Sequence, residues 1–304
     1  MQIRQVPKTD LKVSALCLGG NVFGWSADKQ TSFGILDRFE TLGGNFIDTA
    51  DVYSEWVPGN QGGESEEIIG EWLKGKNRAE LVIATKVAKL STRPGLSAQN
   101  IIAACDDSLK RLGTDYIDLY YAHHFDQEVE QLESLTAFNQ LIESGKVRYI
   151  AASQHSGAQL KSAQDTAAKN GLHGYSALQN EYNLLERKAY EEDSAPALDE
   201  LGIGSFPFFG LARGFLTGKY LRGNVQSVRA ESVKNYDTEK NRELLKRLES
   251  VALEHNVSIA AISLSWLAAQ KTVIAPIASA RTTLQLEEIS TLVSLSPEEL
   301  SFIG

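Results

Sequence analysis

Residues 81–123 read LVIATKVAKLSTRPGLSAQNIIAACDDSLKRLGTDYIDLYYAH. The stretch opens on an almost wholly apolar run, Leu81–Val87. A connection rich in Ser, Thr, Pro and Gly leads into Ala98–Leu112, whose apolar residues follow the 3.6-residue period of a helix and stop at Gly113. A second apolar run, Ile117–His123, closes it. Strand, helix and strand in that order form a unit whose two strands lie parallel, because the helix carries the chain back to the starting edge.

The same unit recurs on both sides. Further apolar runs are Ala15–Gly20, Phe46–Ala50, Tyr149–Ser153, Ala177–Tyr182, Gly204–Phe208 and Val273–Ser279, which makes eight with the first two. They are dense in Val, Ile, Leu, Ala and Tyr with little alternation, as strands buried on both faces are. Helical periods fill the gaps: Thr31–Leu42 (with Phe33, Leu36, Phe39 and Leu42), Ser65–Leu73, Gln131–Glu143, Gly157–Lys169, Asn241–Glu254, Ile259–Ala269 and Thr282–Val293. Ser65 with Glu66 and Glu67 suits a helix start. Gly113, Gly145, Gly171 and Gly202 suit helix ends, where a left-handed residue is needed. Ile3–Val13 alternates around Pro7–Asp10 and reads as a hairpin. The pattern predicts an α/β fold, a (β/α)8 TIM barrel spanning residues 1–304 as one domain, with a short N-terminal hairpin and extended loops at the C-terminal face. Two connections exceed what a barrel needs, Glu55–Gly63 (EWVPGNQGG) and Leu221–Thr238. Both are expected to wall a ligand site, and whether the second closes over that site is left open.

Composition narrows the function classes. The chain has 304 residues, 42% hydrophobic and 23% charged, an ordinary globular balance. A net charge of -9 gives no general attraction to phosphate backbones, so no nucleic-acid partner is expected. Cys17 and Cys105 lack a CxxC partner and read as free thiols of a reducing compartment. The polar start MQIRQVPKTDLKVS is no signal peptide, and no apolar run reaches the roughly 18 residues that span a bilayer. A soluble, cytoplasmic protein with no membrane partner is expected. GGNVFG at 19–24 has the wrong spacing for a dinucleotide-binding glycine loop, and GFLTGKY has Arg213 and Tyr220 where a phosphate loop needs Gly and Ser/Thr. His123–His124 lacks the paired HxH of a barrel hydrolase, so no metal is expected.

Barrel function gathers where strands end. Those ends carry Asp48, Lys86, His123, Ser153 with Gln154, Gln179 with Asn180, Phe208, and Ser279 with Arg281 just beyond. Tyr53 opens the loop after the second run. Taken singly, each residue has a packing role open to it, as a cap, a loop aromatic or a core histidine. Together they outnumber what packing would select. Lys86, at the end of so apolar a strand, needs a carboxylate nearby, and Asp48 is available.

FIDTADVYS, VIATK, DYIDLYYAHHFD, LQNEYNLLER, ARGFLTGKY and PIASARTTLQLEE resemble the aldo-keto reductases, in order, from about residue 3 to about residue 293. Bacterial-type members with an extended loop like SEWVPGNQGGESE are most similar. The resemblance implies reduction of aldehydes or ketones by NADPH. It implies that Tyr53 gives the proton, that Lys86 lowers the tyrosine pKa, that Asp48 holds Lys86, and that His123, chosen over His124 by the DLYYAH spacing, orients the carbonyl. It implies that Ser153, Gln154 and Gln179 hold the nicotinamide and that Phe208 stacks on it. Leu211, Arg213, Gly214, Lys219 and Arg229 would meet the pyrophosphate. Ser279, Arg281, Gln285 and Glu288 would hold the adenosine end, with Arg281 on the 2′-phosphate, hence NADPH rather than NADH.

Three positions depart from the family pattern: Gln154 for Asn, Ile289 for the Asn after the glutamate, and Phe208 for Tyr. Trp25 and Trp56, with His124, Phe125 and Phe209 as further members, are the expected substrate pocket, apolar enough for carbonyl compounds with apolar or aromatic portions. The same resemblance covers channel-associated subunits, so an NADPH-binding regulatory protein with little turnover is the alternative. A barrel lyase or hydrolase without nicotinamide is the third reading. The physiological substrate, the reaction direction and the oligomeric state are not legible.

Overall fold

Eight parallel strands curl into a ring in the computed structural model, which describes residues 1–222 and 233–304. Arg229 and most of the Leu221–Thr238 connection lie outside the described residues. A hairpin of β1 (Ile3–Gln5) and β2 (Lys12–Ser14) comes first, antiparallel, with Ile3 opposite Ser14. The ring strands are β3 (Cys17–Gly19), β4 (Phe46–Asp48), β5 (Val82–Val87), β6 (Ile117–Ala122), β7 (Val147–Ser153), β8 (Ala177–Gln179), β9 (Gly204–Ser205) and β10 (Ile277–Ala278). Each pairs with its neighbour in chain order, and β10 pairs with β3. The last seam closes through a parallel bridge of Ser205 with Val273 and through Ile274 N donating to Ser205 O at 2.9 Å. The fold is the (β/α)8 barrel read from the sequence.

Helices alternate with the strands: α1 (Lys29–Thr41), α2 (Glu64–Leu73), α3 (Ala98–Leu112), α4 (Gln131–Glu143), α5 (Gly157–Lys169), α6 (Ala195–Leu201), α7 (Glu239–His255), α8 (Ile259–Ala268), α9 (Thr283–Ser290) and α10 (Pro297–Ile303). Their starts follow local chemistry. Asp28, Ser97, Ser156, Thr238, Ser258 and Thr282 each accept a backbone N–H of the first turn. α2 differs from the expected Ser65 start. Glu64 opens it, its carboxylate taking the Gln61 and Gly62 N–H groups. Ser65 is buried and donates to Gly20 O, and Glu66 is buried against Thr85 and Arg111. These side chains tie α2 to β5 and α3 instead of capping.

Two cores result. The outer one packs helices on the ring; the inner one fills it with Cys17, Phe46, Val82, Ala84, Leu119, Tyr121, Ala151, Ala177, Phe206 and Ile277. Val6, Leu11 and Val13 from the hairpin belong to the inner core, so the hairpin plugs that end. Each fully buried Leu or Phe contributes about 1.5–3 kcal/mol. The inner residues share one parity along their strands, as a pleat of period two requires. The next residue of that parity is Asp48 on β4, Lys86 on β5, Ser153 on β7 and Gln179 on β8. The pleat that fills the barrel thus delivers these polar groups to its C-terminal mouth. No single helix among the described residues is long and apolar enough to cross a membrane. Cys17 and Cys105 are buried free thiols.

Candidate active site

Lys86 is fully buried, and its ammonium donates to Asp48 Oδ2 at 2.6 Å, Thr49 O at 2.7 Å and Tyr53 Oη at 2.8 Å. All three ammonium protons therefore have acceptors, which is what makes a buried cation tolerable. Asp48 is held in turn by Gln179, whose Nε2 donates to Oδ1 at 2.9 Å. Desolvation pulls the Lys86 ammonium down, but Asp48 and Tyr53 outweigh it and leave it above its ordinary value. The lysine stays charged at neutral pH.

At Tyr53 the expected pull of Lys86 is present but outweighed. Burial pushes its hydroxyl up to about 12; Lys86 pulls the other way without overcoming burial, and Asp48 adds to the rise. The phenol is therefore a protonated group beside a fixed cation. His123 N donates to Val87 O at 3.0 Å, which seats the residue just past β6, with its ring centroid 6.1 Å from that of Tyr53. Burial, then Lys86, Lys89 and His124, hold the His123 imidazole well below its usual range, so it is neutral. Its Nδ1 is buried without a hydrogen-bond partner.

Asp48, Tyr53, His123 and Gln179 floor a cavity of about 860 Å³, which the fully buried Lys86 does not itself line. Ser153, Gln154, Gln179, Phe208, Leu211, Arg213, Gly214, Lys219, Ser279, Arg281, Gln285 and Glu288 line it, as do Asp48, Tyr53, His123, Trp25, Trp56 and Phe209. Arg229 lies outside the described residues. Two expected pocket members do not line it: His124, in the bend that follows β6, and Phe125, whose ring packs on His155 at 5.5 Å. Some side-chain groups are already engaged. Ser153 Oγ donates to Gln179 O at 2.9 Å, Gln154 Nε2 to His123 O at 3.3 Å, and Ser279 Oγ to Asn21 Oδ1 at 2.5 Å. The shared cluster of non-glycine residues with positive φ, Gln154, Phe209, Ala212 and Arg213, is the kind of strained backbone that collects at working sites.

The sequence reading missed Asn21, Lys89 and Glu181, which also line the cavity. Asn21 could have been found, since it lies two residues past the end of β3. Glu181 lies 3.6 Å from Arg213 in an ion pair, and Arg213 Nε is buried without a hydrogen-bond partner. Trp25 and Trp56 meet edge to face at 5.7 Å, and Trp56 lies 6.3 Å from Tyr53. The Glu55–Gly63 connection therefore walls the cavity through Trp56.

The model of the Aldo/keto reductase family matches residues 15–303. A Bacillus subtilis (strain 168) protein, "Uncharacterized oxidoreductase YrpG", is 37% identical over 97% of this chain and 92% of its own length. Versiconal hemiacetal acetate reductase of Aspergillus parasiticus is 30% identical over 100% of this chain and 96% of its own. An Arabidopsis thaliana protein named "Probable voltage-gated potassium channel subunit beta" is 33% identical over 98% and 92%.

Proposed function

The chain belongs to the aldo/keto reductase family; on that footing we propose that it is an oxidoreductase that reduces aldehydes or ketones to alcohols with NADPH, the proton coming from Tyr53. The observation that carries this reading is the buried Lys86 ammonium, bonded at once to the Asp48 carboxylate and the Tyr53 hydroxyl on the floor of the cavity.

The donor set suits a dinucleotide phosphate. Arg213 has a buried Nε with no partner, and Arg281 and the aromatic Phe208 line the same cavity. Ser153, Gln154, Gln179 and Phe208 would hold the nicotinamide, and Leu211, Arg213, Gly214 and Lys219 the pyrophosphate. Ser279, Arg281, Gln285 and Glu288 would hold the adenosine end, with Arg281 on the 2′-phosphate. When bound, the cofactor supplies the hydride. Everything else falls to the chain. Tyr53, kept protonated by burial, gives its proton to the carbonyl oxygen of the substrate. The tyrosinate left behind sits 2.8 Å from Lys86, whose fixed charge stabilises it. Asp48 and Thr49 O keep the ammonium in place during that change. Neutral His123 orients the carbonyl oxygen by hydrogen bonding without competing for the proton. Tyr53 then recovers a proton from water after the alcohol leaves.

A regulatory subunit that holds NADPH with little turnover is the second reading, favoured by the relatives named as potassium channel subunits beta. Titration with NADPH and with NADH, followed by a panel of aldehydes and ketones read by loss of NADPH absorbance, separates the two. We expect preferential NADPH binding and turnover of several aldehydes. Binding without turnover on any carbonyl favours the regulator, and failure to bind either nucleotide removes both readings.

A further inference from the structure

Lys89 is a cation on the cavity wall that the proton relay does not use. It lies two residues past the end of β5 and lines the cavity with Tyr53, Trp56 and His123. The residue is half-buried, and among the described residues no carboxylate pairs with it. Acids of the adjoining loops are engaged elsewhere. Glu55 accepts from Ser91 N at 3.1 Å and from its hydroxyl, while Asp126 accepts from Leu96 N at 2.8 Å and Glu128 N at 2.9 Å.

The backbone that presents Lys89 is fixed. Ala88 has φ of 115°, a conformation a residue with a Cβ rarely adopts, and its carbonyl accepts Gly95 N at 2.9 Å. Strain of this kind, held by a hydrogen bond beside a cavity, marks a position whose direction matters. Burial and the Lys86 charge pull the Lys89 ammonium below its ordinary value, and no acid opposes them. Lys89 in turn helps keep His123 and His124 neutral. The catalytic side of the cavity therefore offers a bound molecule one under-compensated ammonium beside the neutral His123 imidazole. β5 also lies across the ring from β9 and β10, near which Arg213, Lys219 and Arg281 lie. The cofactor phosphates proposed for those residues leave Lys89 unclaimed.

We propose that Lys89 selects carbonyl substrates that also carry a carboxylate, with the Trp25–Trp56 pair seating the apolar or aromatic body that joins the two groups. This rests on the carbonyl-reductase reading above. An ammonium that has already lost part of its hydration gains more from a carboxylate than from water, and the bond is charge-assisted.

The test compares 4-carboxybenzaldehyde with 4-formylbenzamide, which matches its shape without the charge. The readout is the ratio of kcat/KM for the acid to that for the amide. Wild type is expected to favour the acid, and Lys89→Ala to lower the ratio roughly 10–100-fold, the loss of one charge-assisted contact. Lys89→Arg restores the preference and Lys89→Glu inverts it. A ratio unchanged by Lys89→Ala, or a wild type that favours the amide, overturns the proposal while turnover of either aldehyde upholds the reductase reading. Binding of benzoate against benzamide to the NADP⁺ complex, followed by tryptophan fluorescence, covers the case without turnover. Benzoate preference lost in Lys89→Ala then supports the site though the reductase reading has failed, and equal binding of the two ligands rejects it.

Discussion

Two buried aspartates three residues apart meet opposite surroundings. Asp48 accepts from Lys86 and Gln179, whereas Asp51, equally buried, has no partner for either carboxylate oxygen. Burial, with Glu66 nearby, pushes the Asp51 carboxyl up to about 7, although Arg111 opposes the rise. An unfolded aspartate titrates near 3.9, so the folded state holds this proton more tightly. The stability that follows is complete below the unfolded value and is lost as pH rises through about 7. Asp51→Asn, a neutral side chain of the same shape, is therefore expected to unfold at higher temperature than wild type. The advantage should grow from about pH 5 to about pH 8, on the order of 2 kcal/mol or a few degrees of Tm. A Tm difference that does not change with pH would show that the Asp51 charge is not the cause.

Among the elements, the crossing of α2 over α3 turns on Gly70. A Cβ there would stand 2.1 Å from Arg111 O, backbone against which nothing can yield. Helix propensity alone favours Gly70→Ala by about 1 kcal/mol. Packing reverses the sign, and we expect the variant to lose about 1–3 kcal/mol by thermal unfolding. A raised Tm would mean that the two helices do not approach so closely. The same contest between local and tertiary signals decides what was legible. All eight apolar runs became strands, because ring strands buried on both faces carry their own signal. β9 and β10 are short because Pro207 and Pro276 interrupt the ladder donors. α6 escaped notice, apart from its Gly202 stop, because Pro196 sits in its first turn after a π-turn at Tyr190–Ser194. α10 has a Ser296–Glu299 capping box that the sequence displays openly, but it lies beyond the eight repeated units.

For the molecule as a whole, charge and site run in opposite directions. The chain carries -9, yet Lys89, Arg213, Lys219 and Arg281 all line one cavity. Local cations at short range prevail over a distant acidic surface, since exposed charges are screened within about 8–10 Å. Arg281→Ala is expected to weaken NADPH binding roughly 10–100-fold, to weaken NADH much less, and to flatten the salt dependence of NADPH affinity. Fluorescence titrations at two salt concentrations measure this, and equal weakening of both nucleotides would take Arg281 off the 2′-phosphate. Asp48, Lys86 and His123 could be read from strand ends, and Tyr53 from the loop after β4, because a barrel brings those ends together. Lys89 could not, because only the turn at Ala88 brings it back to the cavity, and His124 falls off the cavity in the bend that follows β6. The central claim is that Tyr53 gives the proton. The most direct measurement is single-turnover oxidation of bound NADPH by benzaldehyde in wild type and in Tyr53→Phe, with NADPH affinity measured in both. The account predicts equal affinity and a rate lowered about 10²–10⁴-fold in the variant; equal rates would contradict it.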